Sequence, residues 1–184
     1  MKIIGLVGLV GSGKDTVSEY IVKKYGYHMV SMGDIVREIA TKLGRSHNRD
    51  DLQRTQKEYR EKYGDEFFGE KVVERIEGNG FERVVINGIR IPQDVSVPKN
   101  RFGKDMVVVL VDAGPKIRFG RMAKRSRIGD PKTFGEFRRQ ENNELKLFNF
   151  EGVLRFVEHK IMNNGGLEEL HGNVDSFMEK FDLK

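Results

Sequence analysis

The stretch Gly8-Leu9-Val10-Gly11-Ser12-Gly13-Lys14-Asp15-Thr16 constrains this chain more than any other feature. Its three glycines let the backbone turn tightly, so that several N–H groups can approach one anion closely. An apolar run at residues 2–8 precedes the glycines, and Val17, Tyr20, Ile21 and Tyr25 follow at helical spacing over residues 13–25. A strand therefore feeds a loop that opens onto a helix. The positive end of that helix faces the same anion, and the Lys14 ammonium reaches its outer charges. A plain glycine-rich turn needs neither the lysine nor the strand–loop–helix context. The segment reads as a cradle for nucleotide phosphates, lined by Gly8, Leu9, Val10, Gly11, Ser12, Gly13, Lys14, Asp15 and Thr16.

One position breaks the usual pattern. A hydroxyl residue commonly follows the lysine; here Asp15 does, with Thr16 one step later. A carboxylate beside several phosphates is repelled unless a cation lies between them. Asp15 is therefore a candidate ligand for Mg²⁺, directly or through water. The plainer alternative is that Asp15 only favours the helix N-terminus, worth about 0.3–1 kcal/mol.

The alternation continues along the 184 residues. Short β-rich runs at 28–31, 83–87, 106–112 and 159–163 alternate with helical spacing at 34–43, 50–62, 65–76, 115 to about 127 and 133–142. A final helix runs through Leu167, Leu170, Val174 and Phe177. Asp50 and Asp65 open their helices as candidate caps, and Pro115 suits a first helical position. Strands separated by helices predict an α/β fold of three layers, α/β/α, around a five-stranded parallel sheet. The length suits one domain.

Composition narrows the function classes. The chain has no cysteine, which excludes disulfides and thiolate metal sites and fits a reducing, cytoplasmic setting. No apolar stretch approaches the roughly 18 residues of a membrane span, so no membrane partner is expected. The apolar run from Ile3, preceded by Lys2, leads into Ser12-Gly13-Lys14 rather than a small-residue cleavage site, so it is not read as a signal peptide. The net charge of +5 is local. Nine basic residues lie within 116–139 (Lys116, Arg118, Arg121, Lys124, Arg125, Arg127, Lys132, Arg138 and Arg139) against only Asp130 and Glu136. One polyanion site explains such a concentration; a solvated helix face is the bland alternative. Few aromatics interleave these charges, so the segment does not read as a nucleic-acid surface. The four histidines show no metal-ligand spacing.

Two further segments carry a resemblance. Ser31-Met32-Gly33-Asp34-Ile35-Val36-Arg37 resembles the S-T-G-D-x-L-R segment of adenylate kinases, and Ile86-Asn87-Gly88-Ile89-Arg90 resembles their D-G-F-P-R segment, one residue shorter. The closing Ile161-Met162-Asn163-Asn164-Gly165-Gly166-Leu167-Glu168-Glu169-Leu170 is similar to the last strand and adenine-side loop of dephospho-coenzyme A kinases and phage deoxynucleotide kinases. As an ensemble, the chain is most similar over nearly its full length to an archaeal family of adenylate-kinase-related proteins. The resemblance implies a P-loop NTPase of nucleotide-kinase type, using ATP and Mg²⁺ on a small-molecule nucleotide substrate. It divides residues 1–184 into a core (1–33, 80–118, 145–184), an acceptor-binding helical insert (34–79) and a lid region (119–144).

The same resemblance implies roles. Lys14 and the loop amides bind the donor's phosphates, with Asn163 and Asn164 bordering the adenine. Ser31, Gly33, Asp34, Arg37 and Arg90 form the acceptor site, Arg37 and Arg90 gripping the acceptor phosphate. Arg121, Arg125 and Arg127 close over the migrating group from the lid, while Arg138 and Arg139 read as an exposed helix face. Asn87 departs from the family pattern, which has an aspartate there to place Mg²⁺. Asn87, through water, and Asp15 are thus the candidate metal residues, the negative charge having moved within one site. Tyr59, Tyr63, Phe67 and Phe68 suit either an acceptor pocket or ordinary helix packing, with packing favoured. The expected activity is transfer of the γ-phosphoryl group to a nucleoside monophosphate or similar phosphorylated acceptor. Dephospho-coenzyme A kinase is the nearest alternative, and a slow ATPase switch acting with a protein or RNA partner is one of another class. The sequence is silent on oligomeric state.

Overall fold

A computed structural model of the chain describes residues 1–125 and 129–184. Arg127 lies outside the described residues. Five strands, β1 (Lys2–Val7), β2 (His28–Ser31), β3 (Arg83–Asn87), β4 (Met106–Asp112) and β5 (His159–Met162), form one parallel sheet in the order β2-β3-β1-β4-β5. Their side chains alternate between two buried layers, as the two-residue period of a strand requires. Ile3, Val7, Val84, Ile86, Met106 and Val108 pack into one layer, while Ile4, Leu6, Val85, Val107, Val109 and Val111 pack into the other. A sheet buried on both faces needs near-continuous apolar strands, which is how β1, β3 and β4 read.

Nine helices cover the sheet among the described residues. They are α1 (Lys14–Tyr25), α2 (Met32–Lys42), α3 (Arg49–Tyr63), α4 (Phe67–Gly78), α5 (Pro92–Phe102), α6 (Pro115–Arg125), α7 (Phe134–Leu147), α8 (Phe150–Leu154) and α9 (Leu167–Lys180). Val17 and Ile21 of α1, with Leu170, Val174, Phe177 and Met178 of α9, close one face. Residues of α2, α4, α5 and α8, with Phe68 fully buried, close the other. The three-layer α/β/α fold expected from the alternation is present. None of these helices is long and apolar enough to cross a membrane.

Strands β2, β3 and β4 fall on their expected residues. The capping of α3 differs: Asn48, extended at φ −67° and ψ 163°, accepts from the Asp51 N–H at 2.8 Å, whereas Asp50 already lies inside the first turn. An N-cap must stand outside helical geometry to aim its oxygen at the free N–H groups, so Asn48 takes the role. Helix α4 begins at Phe67 without a side-chain cap, so Asp65 does not serve either. Helix α5 was not expected, because Pro92 and Pro98 mask its periodicity. Pro92 stands at the first helical position, where no N–H is needed. Tyr59, Phe67 and Phe68 pack with the core, Tyr63 stacks on Phe67 at its edge, and none of the four lines the main cleft.

Candidate active site

The segments that follow the C-terminal ends of β1, β2 and β3 open onto a single cleft of about 820 Å³. In open parallel sheets, that end of the strands is where ligands bind. The loop after β1 contributes Leu9, Val10, Gly11, Lys14 and Asp15. The segment after β2 contributes Ser31, Gly33, Asp34 and Arg37, and the segment after β3 contributes Asn87, Gly88 and Arg90. Helix α3 adds Arg49, Leu52, Gln53 and Gln56, and helices α6 and α7 add Arg118, Arg125, Glu141 and Glu144.

The phosphate loop takes its shape from its glycines. Gly11 and Gly13 adopt φ of 80° and 94°, a left-handed backbone that side chains disfavour, and Gly13 caps α1. A Cβ at Gly13 would run into the Asn163 amide. Lys14 Nζ donates to the carbonyls of Gly8 at 2.6 Å and Leu9 at 3.2 Å. Burial lowers its pKa from 10.5 to about 8; Asp15 opposes the shift and Arg90 adds to it. A buried ammonium satisfied only by carbonyls gains strongly when an anion reaches it. Thr16 is half-buried on α1 and does not line the cleft.

Asp15 and Asn87 meet. Asn87 Nδ2 donates to Asp15 Oδ1 at 2.9 Å, while Asn87 Oδ1 accepts from the Gly88 N–H at 2.8 Å. The Asn87 oxygen is thereby committed to the backbone, and Asp15 supplies the negative oxygen at the cleft floor. One carboxylate beside a phosphate-binding loop fits Mg²⁺, which is usually held by one or two carboxylates, waters and substrate phosphates. Asp15 would hold it, and Asn87 would aim Asp15. No group of three or more acidic, histidine or cysteine side chains that could hold a metal by itself occurs among the described residues.

Across the cleft from the phosphate loop, the Ser31 hydroxyl accepts from the Asp34 N–H at 3.3 Å and caps α2. Arg37 donates to Asp34 through Nε at 3.2 Å and through Nη2. Arg90 is exposed to the cleft, its guanidinium 5.3 Å from the centre of the Phe148 ring. Its backbone is held from below, where Asp94 Oδ2 accepts from the N–H groups of Arg90 at 2.9 Å and Ile91 at 3.1 Å. Asp94 is fully buried, and Arg60 of α3 neutralises it at 2.8 Å. This support was missed in the sequence. Its only signal is an aspartate two places after Pro92, at the third position of an unrecognised helix.

The arginines of α6 separate. Arg125 lines the cleft and pairs with Asp130 at 2.8 Å. Arg121 does not arch over the cleft as expected. It donates to both oxygens of Asn163 at 3.0 Å and approaches the carbonyls of Gly11 and Ser12 at 3.4 and 3.5 Å. Asn163 is buried and donates to the Ser12 carbonyl at 2.8 Å, so it braces the loop; Asn164 accepts from the Gly114 N–H at 2.8 Å. Arg118, left without a role by the sequence, is buried and paired with Glu141 at 2.5 Å. Arg138 and Arg139 are both exposed on α7, as expected, and Arg138 also bonds Glu141 at 2.5 Å.

Comparison with known proteins agrees with this geometry. The family described as AAA domain matches residues 7–138. A UPF0200 protein of Thermococcus sibiricus is 31% identical over 185 residues, covering 99% of this chain and 96% of that one. A UPF0200 protein of Methanothermobacter thermautotrophicus is 33% identical over 184 residues, covering 100% and 93%. Among solved structures, shikimate kinase from Bacteroides thetaiotaomicron aligns with a TM-score of 0.60 at 17% identity, covering 99% of each chain. Shikimate kinase from Acinetobacter baumannii in complex with shikimate aligns at 0.61 and 18% identity, covering 100% of this chain and 96% of that one. At such identities these two share the fold, which is that of the P-loop kinases.

Proposed function

The chain belongs to the UPF0200 family and carries an AAA domain, and from that premise we propose that it transfers the γ-phosphoryl group of Mg-ATP to a nucleoside monophosphate. The observation that carries the proposal is the sharing of one cleft by Lys14, Arg37 and Arg90. A phosphate loop alone describes any nucleotide binder. Two further guanidinium groups across the same cleft supply a second anion site, which a kinase for phosphorylated acceptors needs and a simple ATPase does not.

Phosphoryl transfer depends on positioning and charge neutralisation. Lys14 and the loop amides hold the β- and γ-phosphates. Arg37 leaves Asp34 for the acceptor phosphate, and Arg90 meets that phosphate from the β3 side, which aims the acceptor oxygen in line with the γ-phosphorus. Arg125, at the mouth of the cleft, compensates the migrating charge. Asp15 would hold Mg²⁺, which would supply positive charge to offset that of the phosphates. Residues 34–79 act as the acceptor insert and residues 119–144 as the lid, whose closure excludes water as a competing acceptor. Asn163 and Asn164 border the adenine from behind the loop.

The test is incubation with γ-labelled ATP and a panel of nucleoside monophosphates, dephospho-coenzyme A and shikimate. Label is expected in a nucleoside diphosphate. Label in dephospho-coenzyme A or shikimate would replace the acceptor. ADP release that no small acceptor stimulates would replace the reading with an ATPase switch.

A further inference from the structure

Glu141 sits on α7 with its carboxylate 5% exposed, and it faces two guanidinium groups. Arg138, on the same helix, donates to Oε2 at 2.5 Å. Arg118 of α6 lies 2.5 Å from Oε1 but off the hydrogen-bonding axis, so that oxygen is buried without an aligned donor. Arg118 is itself 4% exposed. It donates Nε to the Ala113 carbonyl at 2.8 Å and reaches the Val10 carbonyl of the phosphate loop at 3.5 Å. Phe137 covers it, with the guanidinium 5.2 Å from the ring centre.

Such a buried ion cluster adds little net stability over an apolar packing of equal volume, because its desolvation cost offsets its attraction. Its value is geometric. Val10 follows directly on Leu9, and the carbonyls of Gly8 and Leu9 hold the Lys14 ammonium. A polyphosphate draws that ammonium away, since charge-assisted bonds to phosphate are stronger than bonds to a neutral carbonyl. The loop then changes its internal bonding while Arg118 keeps its hold on the Val10 carbonyl. At the other end of the connection, Glu144 lies three residues beyond Glu141 on α7 and pairs at 3.4 Å with Arg49, the first residue of α3. Helix α3 lines the acceptor side of the cleft through Arg49, Leu52, Gln53 and Gln56, one helical face at i, i+3, i+4 and i+7.

We infer that Glu141 is a positioning residue that ties α7 to the phosphate loop through Arg118, so that nucleotide entering the loop shifts α7 and, through Glu144 and Arg49, biases the acceptor-side helix α3. The inference rests on the ATP site proposed above. By reciprocity, a ligand that fixes α3 tightens nucleotide binding by the same factor.

The chain contains no tryptophan, so Leu147→Trp at the 76% exposed last position of α7 gives a single reporter of that helix. Mg-ATP alone, with no acceptor, is expected to change its fluorescence, while equilibrium dialysis measures binding separately. Adding Glu141→Gln is expected to cut the fluorescence response at least about fivefold while ATP affinity stays within about tenfold. The pair Arg118→Met/Glu141→Met removes the same connection without leaving a lone buried charge, and the same loss is expected. A parent response retained in either variant overturns the inference, and so does bound ATP that leaves the reporter unchanged in the Leu147→Trp protein. Loss of ATP binding in both folded variants would also overturn it, since Glu141 would then hold the loop itself rather than link it to α7. Failure of the Leu147→Trp protein to bind ATP at all would instead strike the proposed function.

Discussion

ATP binding should be accompanied by uptake of a proton at Lys14. In the free protein, burial holds the Lys14 pKa near 8, against an ordinary 10.5. A polyphosphate placed against Nζ favours the charged form and drives the pKa back upward. The sign follows: binding takes up a proton from every molecule whose Lys14 was neutral. For a free pKa of about 8, that is about a tenth of the molecules at pH 7, about half at pH 8 and about nine-tenths at pH 9. A phosphomonoester's second pKa is about 6, so proton release from the phosphates offsets this count at pH 7 and adds little at pH 8 and above. Affinity should accordingly fall as pH rises above 8, approaching about tenfold per unit. Calorimetric titration of ATP in pairs of buffers at one pH, differing in protonation enthalpy, gives the proton count directly. Uptake below about 0.1 at pH 8, or uptake that stays flat from pH 7 to 9, would refute the reasoning. Lys14→Met should abolish the pH-dependent uptake along with most of the affinity.

Further outcomes follow from the same geometry. Arg37→Ala and Arg90→Ala should each raise the acceptor KM about 10–100-fold and leave the ATP KM within about threefold, as steady-state kinetics in both substrates will show. Arg121→Met should raise the ATP KM about 5–10-fold with turnover nearly unchanged, because Arg121 braces Asn163 and the loop; turnover slowed by about a hundredfold or more would return it to the lid. Asp94→Ala leaves Arg60 without its buried partner and frees the Arg90 backbone, so denaturant unfolding should show a loss of about 3 kcal/mol.

The phosphate-loop half of the cleft was legible because its geometry is local. Gly8 to Thr16 are consecutive, and a backbone cradle needs only its own glycines and the helix that follows. Strands β3 and β4 were legible for a similar reason, since each is a short β-branched run between breakers, and the short β2 lies between Gly26 and Gly33. The half of the cleft that holds Arg37 and Arg90 depends on contacts between distant positions. Arg90 stands where it does because Asp94 holds its N–H group and Arg60, 34 residues away from Asp94, neutralises that carboxylate. Nothing in the spacing of residues 60 and 94 announces the pair. The basic segment 116–139 carried the same ambiguity. Its charge is visible in the sequence, but Arg118, Arg121 and Arg125 diverge to a buried glutamate, a loop backbone and the cleft, because successive turns of α6 face different neighbours. Helix α5 stayed hidden because two prolines suppress the usual helical signal, although Pro92 sits where a helix tolerates it.

The pairing of an amide at position 87 with a carboxylate at position 15 has a physical basis that a further measurement can test. Asn87 Nδ2 lies 2.9 Å from an Asp15 oxygen, so an aspartate at 87 would place two carboxylates in contact. Like charges at that separation cannot both ionise freely, and one pKa rises strongly. The amide removes the repulsion and supplies a donor that fixes the carboxylate. Each residue thus makes the other tolerable. Asn87→Asp alone should therefore weaken the Mg²⁺ dependence of ATP binding rather than strengthen it. Asp15→Asn should remove most of that dependence, and the swapped pair Asp15→Asn/Asn87→Asp should restore a good part of it, since one negative charge then returns to the same floor of the cleft. Titrating ATP affinity against Mg²⁺ in the three variants decides. If Asn87→Asp binds Mg-ATP more tightly than the parent while Asp15→Asn changes nothing, the metal's partner lies elsewhere and the contact between the two residues serves only the start of α1.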